Sequence, residues 1–301
     1  MTLPPPGDES PSQSLRYHVE DGVAQITLTR GAEYNTITPQ MRSDLEASLR
    51  AADDDPDARV VLLNAEGPAF CAGYGLDWAT PAQSSEQRDG EPVWDSVRDQ
   101  RMISRFTTTW ALLHELPIPT VAAVQGWCIA GGTNIVFNAD LIVAADDARF
   151  GYPPSRVWGV PEAPWTWVAR MGLERAKRYM LTGDEFTGAE AARMGVILES
   201  VPAADLEQHA LDLAKRIAQV PANQLVMIKT ALNEVARHAY DPPGSRLVGT
   251  LFDGIARHTQ EGLDFVTRSA AVGFREAVRE RDRPFGDYGE RGSAPATDPP
   301  S

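Results

Sequence analysis

The chain has 301 residues, 43% of them hydrophobic and 23% charged, the balance of a globular protein with room for a large core. Its net charge is −14, and Lys177, Lys215 and Lys229 are the only lysines among 28 basic residues. That charge argues against broad binding to nucleic acid or an anionic membrane, and leaves open a local arginine site for a phosphorylated ligand.

Residues 1–14, MTLPPPGDESPSQS, are rich in Pro, Ser and acid and are expected to form a disordered tail. Residues 16–20 and 23–29 read as two strands joined by Asp21-Gly22, a two-residue hairpin signal. Thr38 is a good N-cap, with Pro39 at the first helical position. Met41, Leu45 and Leu49 follow at helical spacing, so an amphipathic helix is predicted up to residues 53–56. The run RVVLLN at 59–64 reads as a buried strand leading into a Gly-rich loop, AEGPAFCAGYGLD at 65–77. Residues 79–98 are polar and turn-rich; such a loop serves as a lid or substrate wall about as often as it is a plain insertion. A helix over 99–116 is ended by Pro117 and Pro119.

The run TVAAV at 120–124 reads as a second buried strand. Gly131 and Gly132 then sit where strand gives way to helix. Glycine tolerates the tight turn and lets another molecule approach the backbone. The first N–H groups of a helix have no internal partner and carry the positive end of the dipole. Such a terminus can hold a carbonyl oxygen that is becoming an anion. An ordinary Gly-rich turn has the same pattern, but two such loops could supply two facing backbone donors.

Further strands are expected over 140–145 and 197–201, and helices over 165–171 and 173–181. Residues 149–164 read as irregular. From Asp205 the texture is helical only, with Leu206, Ala210, Leu213, Ala214 and Ile217 on one stripe, then a helix over 222–239 and two more to about 280. The chain therefore divides into a tail at 1–14, a core at 15–202, a helical subdomain at 203–285 and a tail at 286–301. Cys71 and Cys128 both lie in apolar runs, and no leader-like or membrane-length apolar run is seen. The expected setting is a reducing cytoplasm.

The loop motifs carry a resemblance. F-C-A-G-Y-G-L-D at 70–77 is similar to the F-[CS]-A-G-x-D-L motif of the crotonase superfamily, the enoyl-CoA hydratase/isomerase proteins. G-W-C-I-A-G-G-T-N at 126–134 resembles its G-x-x-x-G-G-G-x-E loop, and residues 139–151 match its C-D-[IL]-x-x-A-x-x-x-A-x-F-G run. Asn35-Thr-Ile-Thr, Leu181-Thr-Gly183 and residues 189–195 extend it over about 16–275. The resemblance implies an α/β fold, a crotonase-like spiral of β-β-α units with a C-terminal helical subdomain that packs into homotrimers or homohexamers. It implies an acyl-CoA thioester substrate, with coenzyme A arriving as part of it. No permanently bound cofactor, metal, nucleic acid or membrane is expected. The N–H groups of Tyr74 and Gly131 would hold the thioester oxygen as an enolate forms. Tyr34, Asn35, Ala72, Gly75, Leu76, Gly132 and Pro154 are the further residues expected on the acyl-CoA.

The acid–base residues depart from the family pattern. Asn134 and Pro154 stand where hydratases of the family keep two glutamates, and neither can titrate; Asn134 is kept as a site residue that could orient a water or hold a substrate group. Gly75 replaces the aspartate of the first motif, with Asp77 two residues on. Glu162, in GVPEAP, is the carboxylate left nearby, at a position where some isomerases of the superfamily carry an acid. In an apolar tunnel beside Trp158 and Trp165 its pKa would be pushed upward, suiting proton abstraction near neutral pH. The competing reading is a surface glutamate before a helix. The resemblance implies an acyl-CoA-processing enzyme of the enoyl-CoA hydratase/isomerase type; an isomerase or specialised lyase working through Glu162 is the alternative, and an acyl-CoA binder without catalysis is the rival from another class. A serine peptidase of related architecture lacks any Ser-His-Asp signature.

Other candidates are weaker. Cys128 reads as a buried structural cysteine. His18, His114, His209, His238 and His258 lack metal spacing. Arg156 reads as a solvated loop residue sooner than a contact for a polar acyl group. Trp158, Trp165 and Trp167 read as tunnel or core walls.

Overall fold

The computed structural model describes residues 14–75, 87–88, 91–92 and 96–288. Residues 1–13 and 289–301, which are most of the two predicted tails, and most of the predicted 79–98 loop lie outside the described residues.

The hairpin at the start is β1 (Leu15–Glu20) and β2 (Val23–Leu28), paired antiparallel around Asp21 and Gly22, both at positive φ. Positive φ at both central residues is what a twisted two-residue hairpin needs. Thr38 caps α1 (Pro39–Asp54) by accepting from the Met41 N–H at 3.1 Å, and Met41, Leu45 and Leu49 turn inward.

The centre of the chain repeats one unit. β3 (Val60–Ala65) is followed by β4 (Ala69–Cys71), the short pair β5 (Gln87–Arg88) and β6 (Glu91–Pro92), and α2 (Ser96–Glu115). β7 (Thr120–Val124) is followed by β8 (Trp127–Ile129) and α3 (Gly131–Val136). β9 (Leu141–Ala145) is followed by β10 (Arg149–Gly151), a 3-10 turn (Pro153–Arg156) and α4 (Pro164–Thr182). The first strands of these units lie side by side in a six-stranded sheet of order β1-β2-β3-β7-β9-β12, where β12 is Glu199–Val201. Every pairing beyond β1-β2 is parallel. The second strands stack in a smaller sheet of order β11-β10-β8-β4, where β11 is Phe186–Thr187. The chain thus climbs as a spiral of β-β-α turns.

β7 is buried along its whole length, as a parallel strand covered on both faces must be. α5 (Gly188–Met194) carries a full capping box from Thr187 and Glu190. α4 is interrupted at Gly172, with φ 76°, which agrees with two helices read on either side of it.

Among the described residues four α-helices follow α6 (Leu206–Ala218): α7 (Ala222–Tyr240), α8 (Pro242–Ala256), α9 (Gln260–Val272) and α10 (Phe274–Asp282). Although the pattern assigns α6 to the helical end, it lies on β3, β7 and β9 with Ala210 and Ala214 fully buried. It therefore closes the main core. At the other end, order extends past residue 286: Asp287 and Tyr288 are buried. They pack on Arg156, which is not a solvated loop arginine. Its guanidinium is 2% exposed, pairs with Asp282 at 2.9 Å and Asp287 at 2.7 Å, and lies under the Phe285 ring. Arg156 therefore ties residues 282–288 to the turn after β10, away from the cavity lining.

Candidate active site

A cavity of about 290 Å³ opens where the two sheets' loops meet the C-terminal helices. Its floor is built by the segments after β4 and β8. Ala72 and Tyr74 come from the first, and Ile129, Ala130 and Gly131 from the second. The two segments touch: a Cβ on Gly131 would lie 3.1 Å from the Tyr74 ring, and one on Gly73 would lie 3.5 Å from the Gly131 nitrogen. Gly132 is equally constrained, because a Cβ there would collide with the Cys71 carbonyl.

Ala130 sets the direction of the second segment. It sits at φ 53° and ψ −119°, a strained conformation for a residue with a side chain. Its N–H donates to the Gly151 carbonyl, and its own carbonyl accepts from the N–H groups of Thr133 and Asn134. The helix therefore starts at Gly131, whose N–H has no intrahelical acceptor by position.

Glu162 lies in the same cavity, two residues before α4 begins, and is 2% exposed. The Tyr74 hydroxyl donates to both of its oxygens, at 2.7 and 2.9 Å. Burial, and then the negative charge of Asp253, push the Glu162 carboxyl up to about 8. Tyr74, Arg257 and Asn134 pull in the other direction. The Tyr74 phenol is itself pushed well above its ordinary value, first by burial and then by Glu162. It therefore remains a hydrogen-bond donor across the neutral range.

The remaining sequence candidates divide. Pro154 forms part of the cavity wall, and its carbonyl gathers the N–H groups of Val157, Trp158 and Gly159. Trp158 lines the wall as well, with its ring 5.3 Å from that of Phe265. Trp165 turns instead against His114, and Trp167 is buried in the core against Phe137. Asn134 is buried behind the floor, close enough to Glu162 to favour its ionised form, although neither amide atom reaches full hydrogen-bond geometry with a described residue. Asn35 is buried too, and its amide nitrogen donates to the carbonyls of Glu66 and Ala69 at 2.8 Å each. It braces the loop and lies off the cavity, as do Tyr34, Gly75 and Gly132. Leu76 lies outside the described residues.

The two cysteines are buried and do not line the cavity. Burial raises the Cys71 thiol to about 12 and the Cys128 thiol well above its ordinary value, so neither is a ready nucleophile. Among the described residues no group of His, Cys, Asp and Glu could hold a metal ion.

Several cavity residues escape the sequence patterns. The helical end supplies Asp253, Arg257, Phe265, Phe274, Val278 and Arg281. A charged i, i+4 pair inside the apolar run LVGTLFDGIAR is the signal that could have found Asp253 and Arg257. Tyr74 matters through its hydroxyl, whereas the motif points only to its backbone N–H.

Comparisons with known proteins agree on one group. A family model described as Enoyl-CoA hydratase/isomerase matches residues 18–268. A crystal structure of enoyl-CoA hydratase from Mycobacterium smegmatis superposes with a TM-score of 0.86 at 44% identity, covering 93% of this chain and 96% of that one. A hydroxycinnamoyl-CoA hydratase-lyase from Pseudomonas fluorescens is 31% identical over 69% of this chain and 73% of its own. A 1,2-epoxyphenylacetyl-CoA isomerase from Escherichia coli is 28% identical over 74% of this chain and 83% of its own. No helix among the described residues is long and apolar enough to cross a membrane.

Proposed function

We propose that this chain, which belongs to the enoyl-CoA hydratase/isomerase family, is an acyl-CoA enzyme that moves a carbon–carbon double bond, with Glu162 carrying the proton. The observation behind this is the buried Glu162 carboxyl, held by Tyr74 in the same cavity as the Gly131 turn. The substrate is an enoyl thioester of coenzyme A. Ionised Glu162 removes a proton from carbon, the electron pair shifts toward the thioester, and negative charge gathers on its oxygen. The N–H groups of Tyr74 and Gly131 receive that charge, which lowers the barrier. Protonated Glu162 then returns the proton to the other end of the three-carbon unit. Atoms balance with one carboxyl, so no water need enter.

Conversion of a 3-enoyl-CoA into its conjugated 2-enoyl isomer is the direct test. Because one buried carboxyl returns the proton it took, product formed in deuterium oxide should carry less than one solvent deuterium per turnover at the reprotonated carbon. An acyl-CoA that binds but never turns over would favour a binding protein instead.

Tyr74→Phe is expected to weaken catalysis through protonation state. The Tyr74 hydroxyl favours the ionised carboxylate, so its loss raises the Glu162 value above about 8. Below that value the ionised fraction falls tenfold per pH unit, so the rate at neutral pH drops and the pH profile of kcat/KM moves alkaline. An unmoved profile would mean that the two groups are not coupled.

Assembly into homotrimers, or trimers paired into hexamers, is part of the proposal. Leu247, Val248, Leu251, Phe252 and Ile255 on α8, and Ile228, Leu232 and Val235 on α7, are exposed. Clustered apolar surface of this kind marks an interaction face. Light scattering at micromolar concentration should report a trimer or a multiple of it, and a clean monomer would contradict this.

A further inference from the structure

Helix α8 presses on the segment that carries Glu162. A Cβ on Gly249 would lie 2.5 Å from the Glu162 carbonyl oxygen and 2.6 Å from that of Pro161. Only glycine permits that approach. One turn later on α8 comes Asp253, 7% exposed, and one turn beyond it Arg257, its ion-pair partner. Both line the cavity with Glu162. Behind them, Asp99 of α2 adds its charge to Arg257 and pairs with His258. A buried ion pair is a weak source of stability, because desolvation offsets most of the attraction. Its place beside the one proton-carrying carboxyl therefore suggests another role.

We propose that Asp253 and Arg257 are positioning residues for Glu162: they present one negative and one positive charge to its carboxyl, and the balance between them sets the pH range in which it works. The inference builds on the proton-carrying role given to Glu162 above. Asp253 holds the proton on Glu162, and it outweighs Arg257, which favours its release. From the other elements, Tyr74 and Asn134 also favour release, while the Tyr152 hydroxyl is turned away to the Val160 carbonyl. The Asp253 carboxylate is itself engaged by Arg257 in an ion pair.

The test is a titration of the Glu162 carboxyl by carbon NMR on the full chain labelled at glutamate carboxyls, without substrate. The Glu162 signal is assigned by its absence in Glu162→Gln. Asp253→Asn should lower the midpoint by about 1 unit or more, and Arg257→Gln should raise it. Either single variant leaves a buried charge unpaired and could unfold. The double variant Asp253→Asn with Arg257→Gln leaves none, and its midpoint should fall between those of Asp253→Asn and the native chain. An unmoved midpoint in the double variant, with only a loss of thermal stability, overturns the proposal. The pH profile of kcat/KM should follow the same shifts. Profiles that stay fixed while the titrations move count against the reaction assigned to Glu162, and leave the positioning result standing.

Discussion

Glu162→Gln is expected to lower kcat for double-bond migration by about 10²–10⁴-fold, the usual contribution of a general acid–base group. The substitution keeps the shape and the carbonyl oxygen that Tyr74 can donate to, so the cavity stays filled and the loops stay in place. It removes the only atom in the proposed path that can take a proton from carbon. Binding of an unreactive CoA thioester, measured by calorimetry, should therefore be nearly unchanged. The pH dependence of the native enzyme has a defined sign. Glu162 is raised to about 8, and the working base is its ionised form. Activity should rise as pH increases through about 8 and fall away on the acid side. If Glu162→Gln keeps full activity in every reaction found, Glu162 is a structural residue and the proposed mechanism is wrong.

The native chain is also expected to be a poor hydratase of crotonyl-CoA. Water addition needs one group to activate water and another to protonate the α-carbon, both within hydrogen-bond reach. Asn134 cannot take a proton and is buried behind the cavity floor. Pro154 offers the wall a ring and a carbonyl already occupied by three N–H groups. Each missing group costs about 10²–10⁴-fold, so hydration should run far below the ~1–10³ per second typical of enzymes, even if both proposed backbone donors act. Of the carboxyls that line the cavity among the described residues, Glu162 is single and Asp253 is held by Arg257. A rate of ~10–10³ per second with crotonyl-CoA would show that other groups activate water.

Much of the main sheet was legible in the sequence, because its strands are apolar runs of five or six residues bounded by turn signals. The hairpin at Asp21-Gly22 and the Thr38 cap were legible for a similar reason: their chemistry is local. The smaller sheet was not. β4, β8 and β10 have three residues each, too few to display a period, and their neighbourhoods read as Gly-rich or irregular loops. Their pairing is long-range, so only the stacked units reveal it.

The site shows the same division. The sequence by itself determined the two Gly-rich turns, the absence of titratable groups at Asn134 and Pro154, and the presence of Glu162 near a helix start. These follow from residue identity and short spacing. Only the tertiary structure decided that Tyr74 donates to Glu162 across 88 positions, that Arg156 is buried under residues 282–288, and that α8 brings Asp253 and Arg257 to the cavity. A carboxyl's protonation depends on the charges and the water around it, and here those come from segments far apart in the chain. No local pattern encodes such a neighbourhood, because it exists only once the helices have packed.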